Sequence, residues 1–341
     1  MRAAVFQGAG RGLAIEAIAT PDPGPHQLIL QVRACGVCGS ELHMTEAHSS
    51  IVLPPGAVMG HEFSGEVAAV GGALKGRFKE GDRVVGFPYL CGCRTPCPDP
   101  GYNGDRCPTG LPIGLGQHNG AFAEYVRIGG TGAYGLPDNV SFEEGALVEP
   151  LAVGLHAVEK GKVQRGDTVL IVGAGPVGLA IAQWCRFSGA RRVIVSERAP
   201  ARQRLAERFG ASDVLDPAAP LMPQVQAIAG KGPDVIFECV GLPGMIDQMM
   251  RIAPRGCRIV VAGLCQGTDT ITPLRGVMKE LTLQFVVAYT SREFGMVIDM
   301  IARDRIDATA LITDRVTLDE LPDAFERLRT PAGQCKVMVG L

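Results

Sequence analysis

The sequence predicts an α/β protein in two parts, a β-rich N-terminal domain and a doubly wound parallel sheet behind it. Three observations lead there. First, the apolar run Val169 to Val172 breaks into Gly173-Ala174-Gly175-Pro176-Val177-Gly178 and then into an apolar helical stretch. Second, strand-like and helical segments alternate after it, with strands expected at Arg192 to Ser196, Asp213 to Leu215, Asp234 to Cys239, Arg258 to Ala262 and Leu281 to Val287. Third, Leu28 to Val32, Ser64 to Val70, Asp82 to Gly86 and Phe122 to Ile128 are short, apolar and punctuated by Gly and Pro, as β structure requires.

Along the chain, residues 1 to about 150 read as mostly β, and 151 to 165 as a helix leading into the first parallel strand. Thr168 to Cys185 carries no charge and is long enough to raise the possibility of a membrane span. Its three glycines and proline, bracketed by Asp167 and Arg186, fit a buried strand-turn-helix better. The tail predicts helices at Phe294 to Ala302 and Glu320 to Leu328 and a last strand at Lys336 to Val339, which needs a sheet to join. The N-terminal domain is the available one. At 341 residues the chain is long for one core and comfortable for two.

Composition narrows the function classes. With 33 Lys and Arg against 35 Asp and Glu, nothing favours nucleic acid or an anionic membrane as a partner. The start, Met1 to Gly8, lacks the long apolar segment of a secretory leader. Of eleven cysteines, four crowd between Cys91 and Cys107. Such clustering suits thiolates on a metal in a reducing compartment, so a cytoplasmic protein is expected.

The glycine stretch has the spacing of a dinucleotide fingerprint. Gly173 permits the tight turn, Gly175 lets a pyrophosphate approach the backbone, and Gly178 packs helix on strand. Pro176 suits the first helical position, and from Val177 the exposed amides and the helix dipole face the phosphate charge. At the end of the next strand Glu197 stands where the adenosine ribose hydroxyls need a carboxylate. Arg198 and Arg202 pull the other way, toward a 2′-phosphate. The strand-end position of Glu197 decides for NAD. Val240 and Leu264, after the fourth and fifth strands, are further cofactor contacts.

A second constellation is Gly36-Val37-Cys38-Gly39-Ser40-Glu41-Leu42-His43, then Gly60-His61-Glu62, then Val148-Glu149-Pro150-Leu151. Thiolate, imidazole and carboxylate are the ligand types of zinc. Singly, each has an ordinary structural explanation: Cys38 as a small buried hydrophobe, His61 as a loop histidine, Glu149 as a helix-start carboxylate.

Taken in order, G-V-C-G-S-E-L-H, G-H-E-F-S-G-E-V, the cysteine cluster, A-L-V-E-P-L-A-V-G-L-H-A and V-G-A-G-P-V-G resemble the zinc-dependent medium-chain dehydrogenases. The likeness runs nearly end to end and is greatest to their polyol and secondary-alcohol branch. It implies a GroES-like domain formed by residues 1–150 and completed by 288–341, around a Rossmann domain of 151–287. It implies a catalytic zinc surrounded by Cys38, His61 and Glu62, with Glu149 a further carboxylate that binds directly or through water. It also implies an assembly of two or four identical chains.

In such a site zinc lowers the pKa of an alcohol, readying it to release hydride to the nicotinamide. Ser40, two residues after Cys38, can accept the hydroxyl proton, and His43 can take it onward through the cofactor ribose. That spacing matches the family relay, and imidazole, which titrates near neutrality, suits the end of such a path. Cys91, Cys93, Cys97 and Cys107 read as a closed structural zinc lobe. Their spacing of one, three and nine intervening residues departs from the family's two, two and seven. Met44, Phe87, Leu115 and Leu264 are expected near the substrate pocket, which favours an apolar or cyclic secondary alcohol. Two other readings compete: a zinc-free NADPH-dependent quinone or enoyl reductase of the same fold, which lacks the Cys/His/Glu set, and a non-catalytic dinucleotide-binding protein, which would turn over no alcohol.

Overall fold

The computed structural model describes residues 1–46, 49, 52–91, 110–116, 118–330 and 333–341. They divide into two units, Met1–Glu149 with Tyr289–Leu341, and Pro150–Ala288.

The first unit opens on a hairpin the sequence reading did not anticipate, β1 (Arg2–Phe6) and β2 (Leu13–Ala17), paired antiparallel. There follow β3 (Gln27–Gly36), α1 (Gly39–Met44), β4 (Glu62–Val70), β5 (Arg83–Gly86), β6 (Tyr89–Cys91), β7 (Gly110–Pro112), β8 (Tyr125–Gly129), β9 (Ala133–Gly135), α2 (Phe142–Ala146) and α3 (Val148–Lys160). β3 runs well past the expected Val32. Its polar Arg33 interrupts the apolar pattern but is paired with Glu66 on β4. The strand expected from Phe122 begins only at Tyr125, because Ala121 and Phe122 donate instead to Gly60 and Met59. α3 begins and ends earlier than expected, stopping before Gly161 and the positive-φ Lys162.

The second unit alternates strand and helix throughout: β10 (Thr168–Val172), α4 (Pro176–Phe187), β11 (Arg192–Ser196), α5 (Pro200–Arg208), β12 (Asp213–Leu215), α6 (Leu221–Ala229), β13 (Val235–Glu238), α7 (Met245–Ile252), β14 (Arg258–Val261), α8 (Pro273–Lys279) and β15 (Thr282–Phe285). All neighbours are parallel, in the order β12-β11-β10-β13-β14-β15. The order reverses between β10 and β13, the place where doubly wound sheets bind ligands. Leu170, Ile194, Ile236 and Ile259 form its core with α6 and α7. Such strands, covered on both faces, read as continuous apolar runs. Trp184 of α4 is fully buried, and its indole N–H donates to the Leu151 carbonyl at 2.8 Å.

The chain then returns to the first unit as α9 (Ser291–Ala302), β16 (Ile312–Thr317), α10 (Leu321–Arg327) and β17 (Lys336–Gly340). β17 joins the C-terminal half of β3 antiparallel, pairing Met338 with Gly36, while β8 takes the other half of the same edge. Across β3 the sheet continues through β4, β5 and β9, and β16 lies outside β17. Leu28, Leu30, Phe63, Val84, Phe122, Phe325 and Val339 fill one core, so both ends of the chain bury the same apolar surface.

Candidate metal centre and dinucleotide cradle

Cys38 lies two residues beyond the end of β3 and is the N-cap residue of α1. Its N–H donates to Glu41 Oε2 at 3.0 Å. Glu41 is fully buried, and its other oxygen accepts from the Gly60 N–H at 2.9 Å and faces His61 Nδ1 at 2.8 Å. One carboxylate therefore ties the start of α1 to the turn carrying His61. With Nδ1–H directed at Glu41, Nε2 is left to bind a metal, the usual carboxylate–histidine arrangement of zinc sites. Gly60 is obligatory in that turn: its φ is +102°, and a Cβ would lie 2.6 Å from the Phe122 nitrogen.

The ligand atoms of Cys38, His61 and Glu62 all lie within 4.8 Å of one another. Around them burial gathers charge. Glu62 is held by the Lys336 ammonium, 2.6 Å from both carboxylate oxygens, and Lys336 also donates to the Val37 carbonyl at 3.0 Å. Both side chains are almost completely buried. Burial opposes protonation of His61, but the Glu41 carboxylate and the Cys38 sulfur outweigh it and hold its pKa well above the ordinary value. Glu149 stands outside the trio. Burial pushes its carboxyl up to about 7, with His61 opposing, Glu62 reinforcing, and Tyr289 hydrogen-bonded to it. Three carboxylates, Glu41, Glu62 and Glu149, thus gather with Cys38, Lys336 and His61 in a largely buried cluster whose donor types suit a divalent cation.

Ser40 donates to Cys38 Sγ at 3.2 Å from the first turn of α1. His43 lies one turn on, half exposed, with Nδ1 3.5 Å from Glu46. Three residues apart on a helix, Ser40 and His43 share a face.

In the second unit, α4 begins at Pro176 directly beyond the glycine turn. Gly178 is demanded by packing, since a Cβ there would lie 2.0 Å from the Gly173 carbonyl oxygen. Gly175 is not: a Cβ would meet nothing within 4 Å, so the space over the turn is open for a ligand. Glu197 is buried beside it. Oε2 accepts from the Ala174 N–H of the turn at 2.9 Å, and Oε1 accepts from the Ala199 N–H at 2.8 Å. Val177 follows Pro176 in the first turn of α4, Arg198 is exposed, and Arg202 is half-buried on α5. Val240 and Leu264 are exposed apolar side chains just past β13 and β14.

Several expectations change. Met44 and Phe87 are core residues and present no surface to a pocket; Phe87 packs edge-on against Tyr289 and Phe294. Leu115 is partly buried against the core of the first unit, and Leu264 is an exposed residue of the second. The expected cysteine lobe falls outside the described residues: Cys93, Cys97 and Cys107 are not among them, and of Cys91 only the backbone, at the end of β6, is described. Sequence reading missed Glu41 and Lys336. The first had a signal, a carboxylate three residues after an N-cap as in a capping box; the second had none.

Residues 24–138 match the alcohol dehydrogenase GroES-like domain, and 176–303 the zinc-binding dehydrogenase family. Sorbitol dehydrogenase of Bacillus subtilis is 31% identical over 99% of this chain and 97% of its own length. The (R,R)-butanediol dehydrogenase of the same organism is 32% identical over 96% of each. A zinc-binding dehydrogenase from Sinorhizobium meliloti, solved bound to NADP, superposes with a TM-score of 0.86 at 32% identity, covering 100% of this chain and 99% of that one. Among the described residues no helix is long and apolar enough to cross a membrane.

Proposed function

The chain belongs to the zinc-dependent medium-chain dehydrogenases, in their polyol and secondary-alcohol branch, and on that premise we propose that it interconverts a secondary alcohol and its ketone using zinc and NAD. The observation that carries the reading is the Cys38, His61 and Glu62 trio within 4.8 Å. These three would hold the metal, and Glu149, which interacts electrostatically with His61 and Glu62, is the candidate for a further carboxylate, direct or through water. Bound there, zinc supplies the Lewis acidity that acidifies an alcohol hydroxyl, and the nicotinamide ring supplies the hydride acceptor.

The chain's own groups do the rest. Glu41 keeps His61 in one tautomer and orientation. Lys336 pins Glu62. Ser40 accepts the hydroxyl proton, and His43, half exposed on the same helix face, passes it toward solvent. Glu197, fixed by two backbone amides, keeps lone pairs for both adenosine ribose hydroxyls and places negative charge where a 2′-phosphate would sit. The relatives named for sorbitol and butanediol favour a vicinal diol or short polyol as substrate. With Met44 and Phe87 buried in the core, two of the four residues behind an apolar alcohol no longer support it.

A homodimer or homotetramer is proposed as well, supported by exposed Val277, Met278, Phe285 and Val287 around the edge strand β15. The thiol-rich sequence suits a reducing compartment, and a cytoplasmic location is proposed on that ground.

The test is metal analysis with turnover. Purified active protein should carry zinc, and Cys38→Ser and His61→Ala should abolish turnover of a diol and polyol panel while leaving NADH binding within about threefold, because every expected dinucleotide contact lies in the other unit. Active protein free of metal would overturn the reading.

A further inference from the structure

We propose that Glu238 is a positioning residue for the nicotinamide half of the cofactor, setting the spacing of the two turns that carry Val240 and Leu264. The inference rests on reading the second unit as a dinucleotide-binding unit and goes beyond it by naming what shapes the far half of that site.

Topology supplies the direction. Glu197 follows β11, on one side of the glycine turn after β10, and β13 and β14 lie on the other side. A dinucleotide with its pyrophosphate at Gly175 and its adenosine ribose at Glu197 must extend its second half over the ends of β13 and β14. Glu238 is the last residue of β13, level in the sheet with Val172 of β10 and Val261 of β14. It is 1% exposed, an uncommon place for a carboxylate.

Its bonds explain why it is there. Oε1 accepts the N–H groups of Val240 and Gly241 at 2.6 and 2.9 Å. Its main-chain carbonyl accepts those of Ala262 and Gly263 at 2.8 and 2.9 Å. One residue therefore closes both turns. The turns also touch directly: a Cβ on Gly263 would lie 2.3 Å from the Gly241 nitrogen and 2.7 Å from Glu238 Oε2. The Val240 turn in turn leans on the phosphate turn, since a Cβ on Gly173 would lie 3.0 Å from Val240 Cγ2. Farther out a second carboxylate repeats the device, Asp269 accepting the Gly244 N–H at 2.7 Å. What this framework presents to solvent is apolar, Val240 at 40% and Leu264 at 53% exposure. A fixed apolar pair beside a pyrophosphate cradle suits a flat, weakly polar ring more than a sugar or a phosphate.

The experiment compares two ligands, NADH and ADP-ribose, the second lacking nicotinamide, by calorimetry on the zinc-loaded protein. Glu238→Ala should weaken NADH about tenfold, the scale of one or two lost hydrogen bonds, and leave ADP-ribose within about twofold. Glu238→Gln, which keeps an acceptor oxygen, should fall between it and the parent protein. Gly263→Ala, which forces the turns apart with the carboxylate intact, should give the same selective loss, and it carries the test if Glu238→Ala does not fold. Equal weakening of both ligands, or unchanged NADH binding in folded Glu238→Gln and Gly263→Ala, overturns the assignment. A parent protein that binds neither ligand overturns instead the dinucleotide reading beneath it.

Discussion

Lys336→Met removes the only ammonium at the floor of the metal site among the described residues, and the structure sets the size of the effect. Lys336 Nζ lies 2.6 Å from both oxygens of Glu62, with side-chain exposures of 2% and 1%. Methionine fills much of the same volume, so the change isolates the charge and its three hydrogen bonds, one of them to the Val37 carbonyl. Breaking a buried pair strands the partner's charge and costs about 3–5 kcal/mol. Against a total stability of about 5–15 kcal/mol that is severe, and at about 2–4 °C per kcal/mol it reads as a fall of roughly 6–20 °C in Tm. Glu62→Leu alone should destabilise by a similar route, leaving a buried ammonium. The double variant Glu62→Leu with Lys336→Met removes both charges and should regain about 2 kcal/mol or more relative to the sum of the singles. If the metal reading is right, the Lys336→Met loss should also be smaller in zinc-loaded protein than after chelation, because the stranded carboxylate then meets a cation. Chemical denaturation with and without chelator measures all of this. A Lys336→Met protein within about 1 kcal/mol of the parent, the scale of an exposed pair, or a double variant no better than the singles, would refute the argument.

Two further outcomes are expected. His43→Ala should slow alcohol oxidation by about a hundredfold, the usual contribution of a general acid–base group, with the steepest loss at low pH, where hydroxide cannot replace the missing acceptor. A pH–rate profile that keeps its shape would remove His43 from the proton path. Glu197→Ala should erode discrimination between NAD and NADP, leaving Arg198 and Arg202 to attract the phosphate; a parent enzyme with the higher kcat/KM for NADP would show that Glu197 does not govern the choice.

Much of the fold was written locally. Val169 to Val172, the glycine turn and α4 are consecutive, so β-branched content, a proline at the first helical position and glycine spacing were enough to order them. The same held for the alternation through β15, because each parallel strand is a short apolar run bounded by turn residues. Local reading failed at the hairpin of β1 and β2, and at Phe122, which is apolar enough for a strand but bonds to the Gly60 turn instead. At the metal site, residue types and resemblance named Cys38, His61 and Glu62 together, but their mutual distances belong to the folded chain. Glu41 carried a capping pattern whose second use, holding His61, needed the two loops to be neighbours. Lys336 sits in a strand beside Val337 and Met338 and had no local reason to be singled out. It meets Glu62 across 274 residues only because β17 closes on β3. Glu238 likewise reads as the charged end of an apolar strand until the turns beyond β13 and β14 are in contact. The physical reason is common to these cases. Backbone preference and apolar periodicity act over a few residues and are printed in the chain, whereas a buried charge is stable only beside a partner that strand pairing brings from elsewhere.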